Sequence, residues 1–426
     1  MTIRQMLLVV FFSLGSQAGH AALDPLLVIL LMVKNEREVI IPTLESYLPK
    51  GENAQEAFKD IGYVLYDTGS TDGTQEVARE FFERNGVTHF VIKEEPFVPD
   101  DFAASRNNGL AFTRAYFPNS TFILFPDAEW YLNSADLLLG FCRSEKNLAD
   151  RGNGVLPCYY QLNIEKKESG GTYVFPTQRL FLTADDVKFE GKIHECPTKI
   201  SEAAVSEAVY FTLGSSKTGQ ESSTRRWYRD RDVLLKELLA DPDNPRTALY
   251  LGLTELWLGN LRNSYTYLKL RIKLHSYPEE DYFAYYKLGI VTMILAKQEP
   301  HSFTWNEAHG YFLKAYSLRP HRAEPLVRIA THYIEEDNHP LSYIYSKRAI
   351  DIPRPEHEKL EVECHLYDYE RWEALSRSAW HFGEYELGEQ ATRKAIESCP
   401  NYPHLYRNLA LFWDKLPTHT TQGGVA

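Results

Sequence analysis

Apolar runs alternate with amphipathic stretches over residues 26–213, and amphipathic stretches alone follow. "LLVILLMV" (26–33) is continuously apolar, too short for a core helix and the right length for a buried strand. The helical pattern "REVIIPTLESYL" comes next, then the strand "IGYVLYD", the helix "TQEVAREFFERNG", the strand "THFVI", the helix "FAASRNNGLAFTRAYF" and the strand "TFILF". These β-α repetitions predict a largely parallel, doubly wound sheet with helices on its faces. Such sheets receive ligands at the carboxyl ends of their strands. The polar clusters "KNE" (34–36), "DTGSTDGT" (67–74) and "DAE" (127–129) follow the first, second and fourth strands, so all three are expected on one edge.

Beyond residue 220 the pattern becomes helix upon helix, with no strand candidate. "TALYLGLTELWLGN", "YFAYYKLGIVTMIL", "AEPLVRIATHYI" and "WEALSRSAWHFG" each precede a second helical segment. A two-helix unit repeated along a chain predicts a stacked solenoid. The unit running from Trp372, Leu375 and Ala379 to Gly388, Ala395 and Pro400 matches tetratricopeptide spacing, and Ala308, Phe312, Ala315 and Pro320 repeat its second half. Tyr282, Tyr285 and Tyr286 offer either a recognition surface or packing between helices, with packing favoured. The expected organisation is a secretory signal peptide over 1–22, an α/β domain over 23–220, helical repeats over 221–416 and a disordered tail over 417–426.

The leader rests on its form: one Arg, an apolar run from Met6 to Leu14, then small residues before Asp24. It places the chain in the secretory pathway or outside the cell, with a cytoplasmic chain as the alternative. No later stretch has the apolar length of a membrane span. The net charge of -12 over 426 residues argues against nucleic-acid binding. The five cysteines have no C-x-x-C spacing, which points to neither a zinc ribbon nor a disulfide framework, and sequence alone assigns no pairing to Cys158 and Cys196.

Four clusters carry candidate chemistry. Asp67 ends an apolar strand, where a carboxylate can accept hydrogen bonds from a ligand's N–H groups. Gly69, Gly73 and Asp72 beside it read as a β-α turn. In "DDFAASRNNG", Arg106 lies one turn into a helix, placed to pair with Asp100 and Asp101 or to face a diphosphate. In "FPDAEW", Asp127 and Glu129 project the same way if the backbone is extended, as a pair of hard oxygen ligands would; a helix cap, helped by Asn133 or Ser134, is the other reading. "RLFLTADDVKFEGKIHECP" brings Arg179, Glu190, His194 and Glu195 into one stretch, which can supply a metal ligand and a general base.

"LLMVKNERE", "DTGSTDGT", "DDFAASRN", "FPDAEW" and "RLF…FEGKIHE", in that order and ahead of tetratricopeptide-like helices, resemble the family 2 glycosyltransferases of GT-A fold that carry C-terminal tetratricopeptide repeats. The resemblance implies a metal-dependent, inverting transfer of a sugar from a nucleotide-diphosphate donor to an acceptor hydroxyl on a glycan, lipid or protein. It implies that Asp67 binds the nucleotide base, with Lys34, Asn35 and Glu36 lining the same site. Asp127 and Glu129 take the D-x-D position that anchors Mn²⁺ or Mg²⁺ to the diphosphate, with Arg106 nearby. His194 becomes a further metal or diphosphate contact, and Glu195, ahead of Glu190, the base. The family pattern "LDADE" is "FPDAEW" here, so Pro126 stiffens the approach, Glu129 lengthens one arm and Trp130 replaces an acid; Trp130 offers a flat face for a sugar. These departures leave a second reading, a catalytically degenerate repeat scaffold that binds protein partners. A nucleotidyltransferase would need a basic glycine-rich loop after the first strand, which is missing.

Overall fold

The computed structural model of the chain describes residues 24–416 apart from 52, 53, 100, 153, 169, 170, 200, 202, 214–216, 356, 357 and 359. The expected leader and tail lie outside the described residues.

Strands β1 (Leu27–Val33) and β2 (Ile61–Asp67) pair in parallel from Leu27 with Ile61 to Val33 with Asp67. β3 (Phe90–Glu94) joins the far side of β2 and β4 (Phe122–Leu124) the far side of β1, both parallel. Helices α1 (Ile40–Ser46), α2 (Ala54–Ala57), α3 (Thr74–Arg84) and α4 (Phe102–Tyr116) lie in the connections. Leu27, Ile29 and Leu31 pack into one hydrophobic cluster and Val28 and Leu30 into another. A strand covered on both faces needs apolar side chains at successive positions, which accounts for the unbroken run "LVILLMV".

The rest of the sheet departs from the largely parallel expectation. β7 (Gly171–Leu182) runs antiparallel to β4, and β6 (Tyr159–Glu168) antiparallel to β7. β10 (Tyr210–Leu213) lies parallel to β6, and β5 (Trp130–Leu132) closes the row antiparallel to β10. The order is β3-β2-β1-β4-β7-β6-β10-β5. The physical reason is visible in "YYQLNIEKKE" of β6: polar residues at alternate positions suit a strand covered on one face, not a buried parallel one. After α5 (Ala135–Asp150), capped by Ser134, no further parallel β-α unit forms among the described residues of the sheet domain. A two-residue pair, β8 (Phe189–Glu190) and β9 (Cys196–Pro197), carries the 191–195 loop at its tip. Cys142, Cys196, Cys364 and Cys399 are free thiols.

Helix α6 (Lys217–Ala240) leads into the repeats, which are tetratricopeptide-like helical hairpins: α7 (Pro245–Trp257) with α8 (Leu261–Leu274), α9 (Pro278–Gln298) with α10 (Trp305–Leu318), α11 (Glu324–Glu335) with α12 (His339–Ile350), and α13 (Arg371–Trp380) with α14 (Tyr385–Ser398). α15 (Pro403–Trp413) packs on α14. In the second hairpin glycine lets the helices approach, since a Cβ on Gly289 would sit 2.6 Å from a Phe312 ring carbon, and in the first Gly252 does the same against Leu268. Tyr282 and Tyr286 are fully buried with nearly parallel rings, which settles them as packing residues. Among the described residues no helix is long and apolar enough to cross a membrane.

One element contradicts the expectation of helices alone after residue 220. β11 (Val362–Glu363), between α12 and α13, pairs antiparallel with Val174 and Tyr173 of β7. Two residues are too few to leave any alternation in the sequence.

Candidate functional site

The three polar clusters do meet at the carboxyl ends of β1, β2 and β4. Asn35, after β1, takes a positive φ of 57° and interlocks with the turn after β2: its N–H donates to Ser70 Oγ and its Oδ1 accepts from Thr71 N, both at 2.8 Å. Asp67 is fully buried, and its Oδ1 accepts from the amides of Gly69 (2.8 Å) and Ser70 (2.7 Å). Gly69 can point its amide back this way because it adopts φ 103°. Asp67 Oδ2, also buried, has no partner among the described residues. Lys34 is exposed on the same edge. Asp72 accepts from Thr74 N within its own turn and from Arg37 N after β1, so it ties the two loops together, while Gly73 takes the cap position of α3.

The D-x-E pair follows β4 in neither of the two expected forms. Asp127 bridges to Met32 of β1, and Trp130 N donates to Asp127 O at 3.1 Å, so residues 127–130 form a turn rather than an extended arm. Pro126 precedes that turn, and Ser134 caps α5 in place of either acid. Trp130 is 9% exposed; it packs on Phe211 and lies under the Arg179 guanidinium, so it has no free face for a sugar.

Arg106 organises the centre. It is 4% exposed, sandwiched near the rings of Phe125 and Phe189, with Nη2 on Asp127 Oδ1 at 2.5 Å and Nε on Glu195 Oε1. Of the two acids expected to pair with it, Asp101 instead caps α4 by accepting from Ala104 N, and Asp100 lies outside the described residues. Asn107 beside it exchanges two hydrogen bonds with the Phe189 backbone, and so pins the 191–195 loop's base to α4. Arg179, pointing in from β7, lies 4.0 Å from Glu195. Arg106 Nη1 and Arg179 Nε are buried without a partner among the described residues.

Electrostatics follow from this crowding. Burial pulls the Arg106 guanidinium down, but Asp127 and then Glu195 outweigh it and the pKa rises. Arg179 is pushed down to about 10 by burial and by Arg106. Burial raises Asp127, yet Arg106 and Arg179 more than offset it and hold the carboxylate ionised. Burial raises Glu129, against Arg226 and with help from Asp127. Glu36 is pushed up to about 7 by burial, then by Glu129 and Asp72. Like charges gathered on one rim create a need that a cation would meet.

Of the remaining expected residues, Glu190 is exposed on β8, away from the arginines' hydrogen bonds. His194, at φ 53°, turns its ring onto Tyr250 of α7 at 4.0 Å, with Nε2 buried and unpartnered among the described residues. Burial drops its pKa to about 4, so the ring is neutral at pH 7. Among the described residues no three His, Cys, Asp or Glu side chains gather into one metal-holding group, and the His194 ring faces Tyr250. Sequence reasoning missed Arg226 of α6, whose Nη1 lies 3.9 Å from Glu129 Oε1. Its only signal was the basic cluster "RRWYRDR", which has no spacing that points to a site.

No protein-family model matches the chain, and no curated protein matches it. Solved structures similar to it include MamA, 17% identical, with 43% of this chain and 95% of that chain covered at a TM-score of 0.33. The C-terminal part of a tetratricopeptide repeat protein from Cytophaga hutchinsonii is 14% identical, covering 47% and 70% at 0.37. A thermophilic tetratricopeptide protein of Thermus thermophilus is 18% identical, covering 45% and 93% at 0.31. Likeness at these scores carries no weight of its own; the repeat architecture stands on its helix pairs and their glycine contacts.

Proposed function

We propose that the chain is a GT-A-type glycosyltransferase that moves a sugar, with inversion, from a nucleotide-diphosphate donor to an acceptor hydroxyl with the help of Mn²⁺ or Mg²⁺. The observation that carries this reading is the set of buried, unpartnered atoms at one strand edge: an acceptor on Asp67 and donors on Arg106 and Arg179. A buried polar group left unpaired costs free energy, and a ligand that pairs it recovers that cost. Asp67 Oδ2 suits an N–H of a nucleotide base, and the arginine N–H groups suit diphosphate oxygens.

Asp127 and Glu129 are the residues that would hold the cation; their hard oxygens suit Mg²⁺ or Mn²⁺, whose other ligands come from phosphates and water. When bound, the ion neutralises charge on the departing diphosphate. Glu195 is the base: as Arg106 turns to the diphosphate, the freed carboxylate takes the hydroxyl proton. The acceptor oxygen then bonds to the anomeric carbon as the bond to the diphosphate breaks on the opposite face.

The test is a thermal-shift screen of nucleotide sugars with and without Mn²⁺, since a ligand of the folded state raises the melting temperature. If no nucleotide sugar stabilises the protein with metal present, the proposal fails. One observation favours the degenerate scaffold as a second reading: Asp127 and Glu195 both already hold Arg106, and Glu129 lies near Arg226. In that case a nucleotide sugar binds without turnover, and the repeats bind a protein partner.

A further inference from the structure

Glu358 and residues 360–363 lie across the first helices of the second and third hairpins on the way into β11, and charge governs the crossing. Glu358 accepts from Arg319 Nη2 at 2.9 Å and from Arg322 Nη1 at 3.0 Å. Leu360 N donates to Glu279 of α9, and the Glu361 carbonyl accepts from Arg322 Nη2 at 2.8 Å. Lys287 of α9 holds Glu361 at 2.9 Å and Glu363 at 3.3 Å, while Arg328 of α11 donates to Glu363. Each carboxylate of the segment thus meets at least one cation of the repeats, and the backbone is bound as well as the side chains. That is how an extended peptide is recognised.

The apolar contacts run the same way. Val362 enters the cluster formed by Ala323, Leu326 and Val327, and Val174 of β7 packs against that cluster from the sheet side. Glu363 is 2% exposed and Val362 5%.

We propose that the face formed by α9 and α11 is a recognition surface for an extended acidic chain, and that its resident ligand is this protein's own acidic stretch, held through Glu358 and residues 360–363. The surface is closed to outside partners in the intact chain. Its occupant fastens the repeats to β7, so the segment is a clamp between the two halves. A segment tethered at both ends competes at an effective concentration on the order of millimolar, which an outside peptide must exceed. This inference is independent of whether sugar transfer occurs.

The test uses the full chain with residues 358–363 replaced by alternating glycine and serine of equal length. The probe is a labelled synthetic peptide of sequence 355–366 with Cys364 replaced by serine. The variant is expected to bind the peptide saturably, at least tenfold tighter than wild type, with affinity that falls as salt rises. Equal binding by wild type, or no binding by the folded variant, overturns the proposal. If the replacement does not fold, Glu361→Gln serves, because Glu363 keeps both of its cations there. Hydrogen exchange is then expected to speed up severalfold at Tyr173–Val174 together with Val362–Glu363. Unchanged exchange at Tyr173–Val174 overturns the clamp.

Discussion

Arg106 donates through Nε to Glu195, 89 positions away in the chain, and through Nη2 to Asp127. One buried cation therefore joins the turn after β4 to the loop at the tip of β8 and β9. Removing it leaves two carboxylates without their partner. Arg106→Met is expected to cost about 3–5 kcal/mol of stability at pH 7, read by urea denaturation. Arg106→Lys keeps the charge but not the planar fork, and should fall between the two.

The base assignment separates two glutamates by environment. Glu195 touches Arg106, whereas Glu190 is exposed. Donor turnover by Glu195→Gln should drop about 100-fold or more, the range for loss of a general base. Glu190→Gln should stay near wild type, and the reverse ranking would move the base to Glu190.

Asp67→Asn isolates ligand binding from folding. The asparagine Oδ1 can still accept from Gly69 N and Ser70 N, so the turn persists. Oδ2 becomes an NH₂ donor, which repels a ligand N–H. Nucleotide binding measured by calorimetry should weaken by about 1–3 kcal/mol, with the melting temperature of the free protein little changed.

Glu36 gives a pH signature. Its folded pKa of about 7 exceeds the ordinary 4.5, so between those values the folded protein holds a proton that the unfolded chain has released. Stability therefore declines as pH rises from about 4.5 to about 7 and stays reduced above that. Glu36→Gln should flatten this segment and be more stable than wild type at pH 8, by on the order of 1–2 kcal/mol. Denaturation curves at pH 5 and pH 8 give the comparison.

Gly289→Ala tests the hairpin contact. The added methyl meets the Phe312 ring, and overpacking of this kind costs about 1–3 kcal/mol. Gly310, with open space around its Cβ position, is the control and should tolerate alanine at a cost no greater than a helix surface change.

How much of this was legible in the sequence depended on the length of each signal. Parallel strands buried on both faces and hairpins of ten or more residues per helix leave long apolar patterns, so β1, β2 and α7–α14 could be read directly. "DTGSTDGT" was legible because its glycines answer a local backbone need, and Asp67 then stood out as unexplained. The antiparallel strands β6 and β7 were not read, since their one-sided cover dilutes the apolar signal. β11 left no pattern at all. In the site, positions fixed by strand ends were found, but partners were not: the Arg106 contact of Asp127 was not foreseen, and Trp130 went into the core. Arg226 reaches Glu129 from a helix beyond the sheet, a relation set by tertiary packing that no local spacing encodes.

The pairing of β11 with β7 has a consequence for how this array can change in length. His194 stacks on Tyr250 at the first hairpin, and Val362 meets Val174 after the third, so both ends of α7–α12 are fixed to the strand-bearing half of the chain, one at the loop of the β8-β9 pair and one at β7. Helical arrays commonly gain or lose units without penalty to their neighbours. Here a hairpin added or removed between residues 245 and 350 would shift one anchor by a whole unit and tear it from its partner. Only the stretch from α13 onward lies outside the gauge, and it is there that duplication or truncation should leave the sheet undisturbed.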